Sequence, residues 1–352
     1  MKYSINELTL KEKLGQMIIL GLDVQNVDEK IFNLIREYHI GGVVLYKKSY
    51  HDTSSMINLI SKLKSANPSN IPMFISIDQE NGLVNRFPNE IKRLPSPRKQ
   101  VENNLVNECN ELTIDIMKKI GINMNLAPVL DIDRNHKSRV NGTRSYSANY
   151  QEVIKYGTMT IKKYQSLGII PVGKHFPGHG LAKGDSHFVL PIIKDIHTLH
   201  REDYQVFNEV INEGLETVML GHLRIKGYGF KPTTMNKKII DKYLSNFKGL
   251  IMTDDLQMNY LKYIYGLKKV FINCLIAGND LIMIKYYPGS DKLYKKLVKA
   301  ISHNCELENK VNVSVQKILT LKEKYHLNND QISIGLNTTE INDKISKLCN
   351  NK

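Results

Sequence analysis

The chain has 352 residues, of which 41% are hydrophobic and 24% are charged, a balance typical of folded globular proteins. Its net charge is +14, but the lysines are scattered without a long basic block, so the charge does not indicate a nucleic-acid partner. No apolar run reaches the roughly 18 residues that a membrane-spanning helix needs, and no apolar signal segment opens the chain. We therefore expect a cytoplasmic protein that binds neither nucleic acid nor membrane.

The cysteines support the same expectation. Four are present, far apart in the chain and without a CxxC pair: Cys109, Cys274, Cys305 and Cys349. This spacing predicts neither a zinc site nor a disulfide framework. Free thiols are typical of a reducing compartment.

Eight short apolar runs, many rich in β-branched residues, recur along the chain. They lie at 16–22, 41–46, 72–78, 122–130, 169–176, 217–223, 249–255 and 280–284. Runs of this length predict parallel strands buried on both faces. Amphipathic segments separate them at 28–38, 54–65, 101–119, 148–167, 199–213 and 259–277, and a capping box of Thr9 and Glu12 begins the first helix.

Repeated strand-then-helix units predict a parallel sheet covered by helices, and eight units can close into a single-domain (β/α)8 TIM barrel. An open doubly wound sheet is the alternative, but no GxGxxG follows the first strand. The segment 309–327 predicts a C-terminal helix. We therefore expect a barrel domain over 1–327 and a loosely held, polar tail over 328–352.

In such a barrel, catalytic side chains lie at the carboxyl ends of the strands and in the loops that follow. Polar residues follow strand after strand at that end: Asp78, Arg86, Asp131, Asp133, Arg144, Lys174, His175, His222, Asp254 and Asp255. Each alone has a structural alternative, since an Asp after a strand is often a helix N-cap. Their recurrence at one end predicts a site at the barrel mouth.

The stretch "KHFPGHGLAKGDSH", residues 174–187, concentrates histidines in a glycine-rich loop. His175 and His179 are four residues apart, as in zinc-binding helices, but Pro177 and two glycines between and beside them interrupt a helix. We therefore expect neither a metal nor a cofactor. The three glycines of the loop, Gly178, Gly180 and Gly184, predict that it moves.

A nucleophile with a proton shuttle fits these residues better. A carboxylate such as Asp254 can attack the anomeric carbon of a sugar and form a covalent intermediate. Asp185 could orient the imidazole of His187 and raise its pKa, so that His187 protonates the leaving oxygen. Basic side chains around them, including Lys174, could bind sugar hydroxyls.

Four motifs carry a family resemblance: "KHFPGHG…DSH", "DQENGLVNR", "NLAPVLDIDR…NGTRSYS" and "MTDDLQM". They resemble the β-N-acetylglucosaminidase branch of glycoside hydrolase family 3, from about Thr9 to about Leu327. The resemblance implies a TIM-barrel enzyme that hydrolyses terminal β-linked N-acetylglucosamine (GlcNAc) with retention. It places the nucleophile on Asp254 and the acid/base histidine on His187, oriented by Asp185. Implied sugar contacts are Asp78, Arg86, Arg144, Lys174, His175, His222 and Met258.

Two residues depart from the family pattern "DQEGGRV". Asn81 stands where a glycine is usual, and Leu83 stands where an arginine is usual. Asn tolerates a left-handed backbone better than most residues, so we expect the turn to survive, whereas Leu83 removes a charge near the entrance.

Other functions remain open from the sequence. They are a β-glucosidase or β-xylosidase, an N-acetylglucosaminide phosphorylase, and a catalytically silent sugar-binding protein on the same scaffold. For a cytoplasmic member, the resemblance implies a small-molecule oligosaccharide substrate, either a muropeptide from cell-wall recycling or a chitin fragment.

Overall fold

The computed structural model describes residues 3–135, 142–182, 190–330 and 335–350. Eleven strands lie within these ranges. Nine of them form the eight parallel positions that surround a common interior, because two successive short strands share one position. The strands are β1 (Ile18–Leu22), β2 (Gly42–Leu45), β3 (Phe74–Ile77), β4 (Met124–Asn125), β5 (Ile170–Pro171) continued by β6 (Gly173–Phe176), β7 (Ile192–Ile193), β8 (Thr217–Leu220), β9 (Arg224–Ile225), β10 (Leu250–Thr253) and β11 (Ile282–Lys285). The short strands β7 and β9 pair with each other outside the barrel.

Strand pairing closes the barrel. One sheet runs in the order β11-β1-β2-β3-β4-β5 and a second in the order β10-β8-β6. A parallel bridge between Val129 and Lys174 joins the sheets on one side, and a bridge between Met252 and Leu281 joins them on the other. The residues of β1, β2 and β3 are all buried, as strands between a packed interior and outer helices require. The (β/α)8 barrel expected from the apolar runs is therefore confirmed.

Helices cover the outside of the barrel. They are α1 (Leu10–Gln16), α2 (Glu29–Tyr38), α3 (Thr53–Ala66), α4 (Pro97–Glu102), α5 (Val106–Ile120), α6 (Tyr150–Ser166), α7 (Ile196–Thr198), α8 (Tyr204–Asn212), α9 (Lys237–Leu244), α10 (Asn259–Tyr265), α11 (Leu267–Ala277), α12 (Ser290–Ser302), α13 (Cys305–Lys324) and α14 (Thr338–Asn350). A π-helical turn over Leu199–Asp203 joins α7 to α8. The capping box at α1 is present, with the Glu12 N–H donated to Thr9 and the Thr9 N–H donated to the Glu12 carboxylate.

The C-terminal segment differs from the expected loose tail. Residues 338–350 form α14, whose side chains Ile341 and Ile345 are buried one helical turn apart. The amide of Asn342 donates to the backbone oxygen of Glu90 over 2.7 Å. The expectation of a loosely held segment was wrong for this helix. Its two isoleucines pack in the hydrophobic core, and the polar composition of the segment does not predict that packing.

Helix α13 packs at the amino ends of the strands, opposite the end where polar residues gather. Its Lys322 is fully buried and donates to Gln16 Oε1 over 2.8 Å and to the backbone oxygen of Gly41 over 2.9 Å. Burial lowers the pKa of Lys322 well below its ordinary value. This end of the barrel is therefore filled by packed side chains and leaves the opposite end for a ligand.

None of the helices in the described part of the chain combines the length and apolar character needed to span a lipid bilayer.

Candidate active site

A cavity of about 580 Å³ opens at the carboxyl ends of the strands, within the range of ~300–1,000 Å³ usual for small-molecule sites. Charged and polar side chains dominate its wall. The lining residues are Tyr46, Asp78, Val84, Arg86, Leu126, Arg144, Lys174, His175, His179, Met219, Gly221, His222, Asp254, Asp255, Gln257, Met258, Met283 and Lys285. A wall of this chemistry suits a ligand with many hydroxyl groups.

Eight of the ten candidate residues taken from the sequence meet at this cavity. They are Asp78, Arg86, Arg144, Lys174, His175, His222, Asp254 and Met258. The proposed dyad of Asp185 and His187 lies outside the described residues, so its position relative to the cavity is a prediction.

Gln79 organises the loop that follows β3. Its side-chain nitrogen donates to Asn81 and Asn85, each over 2.8 Å. Its side-chain oxygen accepts the backbone N–H groups of Arg86 over 2.6 Å and of Phe87 over 3.2 Å. One buried amide therefore turns the loop back on itself and brings Arg86 to the cavity.

A buried charge cluster lies beside this loop. Lys174, whose side chain is 2% exposed, reaches Glu80 over 2.5 Å and also pairs with Asp78. Arg144 donates to both carboxylate oxygens of Glu80, from Nε over 2.6 Å and from Nη2 over 2.7 Å. Burial acts to raise the pKa of Glu80, but Arg144 and Lys174 outweigh it and hold the carboxylate ionised. Arg86 contacts Asp78 from the other side over 3.4 Å.

Asp131 fixes the start of the histidine loop. One carboxylate oxygen lies 2.7 Å from His175 Nδ1, and the other accepts the backbone N–H groups of His175 over 3.2 Å and of His179 over 2.7 Å. Asp131 is fully buried, and its pKa is lowered because the two histidines outweigh the effect of burial. The orientation of the His175 ring in the cavity therefore depends on a carboxylate behind the wall.

The two consecutive carboxylates after β10 have opposite environments. Asp255 is buried, accepts the Gln257 N–H over 3.0 Å and lies 3.5 Å from Lys285. Burial raises its pKa. Asp254 lines the cavity and accepts the Asp255 N–H over 2.7 Å on one oxygen. Burial acts to raise the pKa of Asp254, but the nearby His175 is among the groups that hold it below its ordinary value.

His222 is held by both ring nitrogens. Its Nε2 donates to the backbone oxygen of Asp255 over 3.1 Å, and its Nδ1 lies 2.8 Å from the hydroxyl of Thr234. A carbonyl oxygen can only accept, so the proton sits on Nε2 and Nδ1 accepts from the hydroxyl. Burial lowers the pKa of His222 and favours this neutral ring. His222 therefore shapes the wall beside Asp254 with both nitrogens already occupied.

Comparison with protein families gives one match, to the model described as the N-terminal domain of glycosyl hydrolase family 3, over residues 9–321. The matched range includes all eight barrel strands and the whole cavity wall. The chain belongs to glycoside hydrolase family 3.

Individual relatives of this family 3 chain agree with that assignment. A beta-hexosaminidase of Tolumonas auensis is 32% identical over 279 residues, which cover 75% of this chain and 81% of the relative. Beta-hexosaminidase LpqI of Mycobacterium tuberculosis is 26% identical over 329 residues, covering 90% and 83%. Among solved structures, a family 3 beta-N-acetylglucosaminidase from Paenibacillus superimposes with a TM-score of 0.88 at 28% identity, covering 97% of this chain and 68% of that one.

The described part of the histidine loop is closely packed. A Cβ added to Gly178 would overlap the side chain of Asp203, and one added to Gly180 would overlap the backbone oxygen of Ile132. Gly178 also has a positive φ of 124°. These two glycines therefore have a packing role that the expectation of a freely moving hinge did not include.

The two departures from the family pattern have different outcomes. Asn81 has a φ of 70° and its amide donates to Thr113 over 3.1 Å, so it takes the left-handed conformation expected of it. Leu83 is 61% exposed and does not line the cavity, although its neighbour Val84 does. The substitution at 83 therefore changes the rim of the loop and leaves the cavity wall intact.

Sequence reasoning missed several residues that line the cavity or support its wall. Tyr46 follows β2 and Lys285 ends β11, so the rule that polar residues gather at strand ends would have found both. Glu80 and His179 lie within motifs recognised in the sequence. The partners of Glu80 are 64 or more residues away in the chain, and the partner of His179 is 48 residues away. In the described part of the chain, no group of three or more His, Cys, Asp or Glu residues could hold a metal ion.

We predict that Glu80→Gln lowers the free energy of unfolding at pH 7 by about 3 kcal/mol, because it leaves two buried cations without their shared carboxylate. Glu111→Gln, which breaks an exposed pair with Lys163, is the control and should cost at most about 1 kcal/mol. Chemical denaturation measures both.

The pH dependence provides the second readout. The folded-state pKa of Glu80 lies below its unfolded value, so its stabilisation is full above the unfolded pKa and is lost as the pH falls through the folded-state pKa. The difference between wild type and Glu80→Gln should therefore shrink in acid. A constant difference between pH 7 and the acid range would contradict the ionised, doubly paired Glu80.

Proposed function

We propose that this chain is a β-N-acetylhexosaminidase that removes terminal, β-linked GlcNAc from non-reducing ends with retention of configuration. The observation that carries the proposal is the environment of Asp254. It is a carboxylate with a lowered pKa at the wall of the cavity, and one of its oxygens has no hydrogen-bond partner in the described part of the chain. The family assignment and the beta-hexosaminidase relatives support the same activity.

In the first step, a free oxygen of Asp254 attacks the anomeric carbon and the glycosidic bond breaks. His187, held by Asp185, gives its proton to the leaving oxygen, so that the aglycone departs as a neutral alcohol. A glycosyl ester on Asp254 results. The ionised state of Asp254 supports this role, since a protonated carboxyl group would be a poor nucleophile.

In the second step, His187 takes a proton from water while the water oxygen attacks the anomeric carbon. The ester bond breaks, the carboxylate of Asp254 is restored, and the sugar leaves with its original configuration. A histidine can serve both steps because its ordinary pKa of about 6.5 lies close to neutral pH.

Sugar binding is assigned to the charged wall. Lys174 and Arg86 converge on the two oxygens of Asp78, which fixes a carboxylate at the cavity with cations on either side. Such paired groups can donate to and accept from sugar hydroxyls without rearrangement. His175, oriented by Asp131, offers its remaining ring nitrogen to the same ligand.

For the natural substrate, we propose a GlcNAc-containing muropeptide in cell-wall recycling, with chitin fragments as the other source of the same sugar. Both present the same terminal residue to the cavity. We place the enzyme in the cytoplasm, which is supported by two exposed free thiols, Cys305 and Cys349. Hydrolysis of purified muropeptides and of chitobiose by the same preparation separates the two sources.

We predict that matched 4-nitrophenyl substrates give a kcat/KM for the β-GlcNAc glycoside roughly 100-fold or more above that for the β-glucoside, because a site that binds the acetamido group rejects a sugar without it. Asp254→Asn is the control and should remove turnover of both. Comparable kcat/KM values for the two sugars would contradict the assigned specificity.

We predict that His187→Ala lowers kcat/KM far more for alkyl and poorly activated aryl N-acetylglucosaminides than for the 4-nitrophenyl compound. A good leaving group needs little protonation, so loss of the acid costs it less, while a general acid contributes roughly 10²–10⁴-fold for poor ones. A leaving-group series measured on both enzymes gives the result. An equal loss across the series would exclude His187 as the acid.

A further inference from the structure

His179 lines the active-site cavity with one ring nitrogen unused. The residue is 5% exposed, and within the described part of the chain its buried Nε2 has no hydrogen-bond partner. Buried polar atoms are nearly always paired in folded proteins, since an unpaired one has lost its water without replacement. An unpaired nitrogen on a residue of a ligand cavity therefore suggests that the ligand itself provides the hydrogen-bond partner.

The histidine across the cavity wall provides a comparison within the same molecule. His222 is equally buried, but both of its nitrogens are occupied by Thr234 and Asp255. Folding alone therefore satisfies His222 completely. It leaves Nε2 of His179, another residue of the cavity wall, without a partner among the described residues.

The position of His179 is fixed before any ligand binds. Its backbone N–H donates to Asp131 over 2.7 Å. The next residue, Gly180, lies so close to the backbone oxygen of Ile132 that a Cβ would not fit. The rings of His179 and His175 meet edge to face with centroids 6.1 Å apart. The ring is thus held in place by its backbone and by its neighbour, which is the preorganisation that a binding group needs.

The ring is also in a suitable state to bind a neutral ligand. Burial lowers the pKa of His179 more than Asp131 raises it. A neutral imidazole has one nitrogen that donates and one that accepts, and a sugar hydroxyl can do either.

We propose that Nε2 of His179 hydrogen-bonds a hydroxyl group of the sugar bound beside Asp254, which makes His179 a substrate-binding residue of this site. The proposal rests on the proposed function for the identity of the ligand as GlcNAc. The contact between His179 and the sugar fixes the position of one hydroxyl group. It therefore helps to determine which sugars the cavity accepts.

Three variants test the contact. His179→Phe keeps a ring and removes the nitrogen, whereas His179→Gln places an amide near the position of Nε2. His179→Phe should raise KM for 4-nitrophenyl β-GlcNAc by roughly tenfold with a smaller change in kcat, and His179→Gln should recover much of the loss. His200→Phe is the matched control: its ring pairs with Tyr243 and does not line the cavity, so KM should stay unchanged.

The decisive measurement uses 3-deoxy, 4-deoxy and 6-deoxy versions of the substrate. In the wild type, each missing hydroxyl lowers kcat/KM. In His179→Phe, the loss should disappear for one of the three, because the partner of that hydroxyl is already gone, and should persist for the other two. If all three losses were the same in both enzymes, His179 would not touch the sugar and the proposal would be overturned.

Binding experiments separate this proposal from the proposed function. Calorimetry with free GlcNAc and its three deoxy analogues applies the same comparison without turnover. If GlcNAc glycosides were not hydrolysed but one deoxy analogue still lost its penalty in His179→Phe, the activity would be wrong and the contact correct. If hydrolysis were normal and every penalty were unchanged, the contact would be wrong and the activity correct.

Discussion

The site depends on one buried ammonium group. Lys174 on β6 is nearly inaccessible to water and is compensated by Glu80 and Asp78, which follow β3. A buried charge without partners is unfavourable by several kcal/mol or more, so folding must bring the two carboxylates that follow β3 against the lysine of β6. Arg144 joins the same cluster through Glu80. The residues to which we assign sugar binding are thus held in place by the electrostatic requirements of folding.

Asp254 differs from the ion-paired carboxylates Asp78 and Glu80. Its neighbour Asp255 is bound to Gln257 and Lys285, and burial raises the pKa of Asp255. Asp254 lines the cavity with a lowered pKa, and among the described residues only one of its two oxygens accepts a hydrogen bond. Two consecutive carboxylates thus acquire different properties from their surroundings, a pattern typical of acid and base groups in enzymes. An ionised carboxylate at the wall of the cavity is suited to attack an electrophilic carbon.

The sequence predicts the barrel well because each strand is a short apolar run buried on both faces, a signal contained in the run itself. It predicts most of the wall because polar residues follow those runs. Glu80 and His179 were missed because their roles come from partners distant in the chain, and no local pattern encodes such pairings. Helix α14 was missed for a related reason: Ile341 and Ile345 are buried only because the barrel offers them a surface.

The central claim is that Asp254 forms a covalent bond to the sugar. An activated fluoro-sugar analogue of GlcNAc, which slows the second step more than the first, should accumulate the glycosyl enzyme. Mass spectrometry of the digested protein should then find one sugar on the peptide that contains Asp254, with fragmentation assigning it to that residue, and no adduct on Asp254→Asn. An adduct on Asp255, or rapid turnover of activated substrates by Asp254→Asn, would contradict the account.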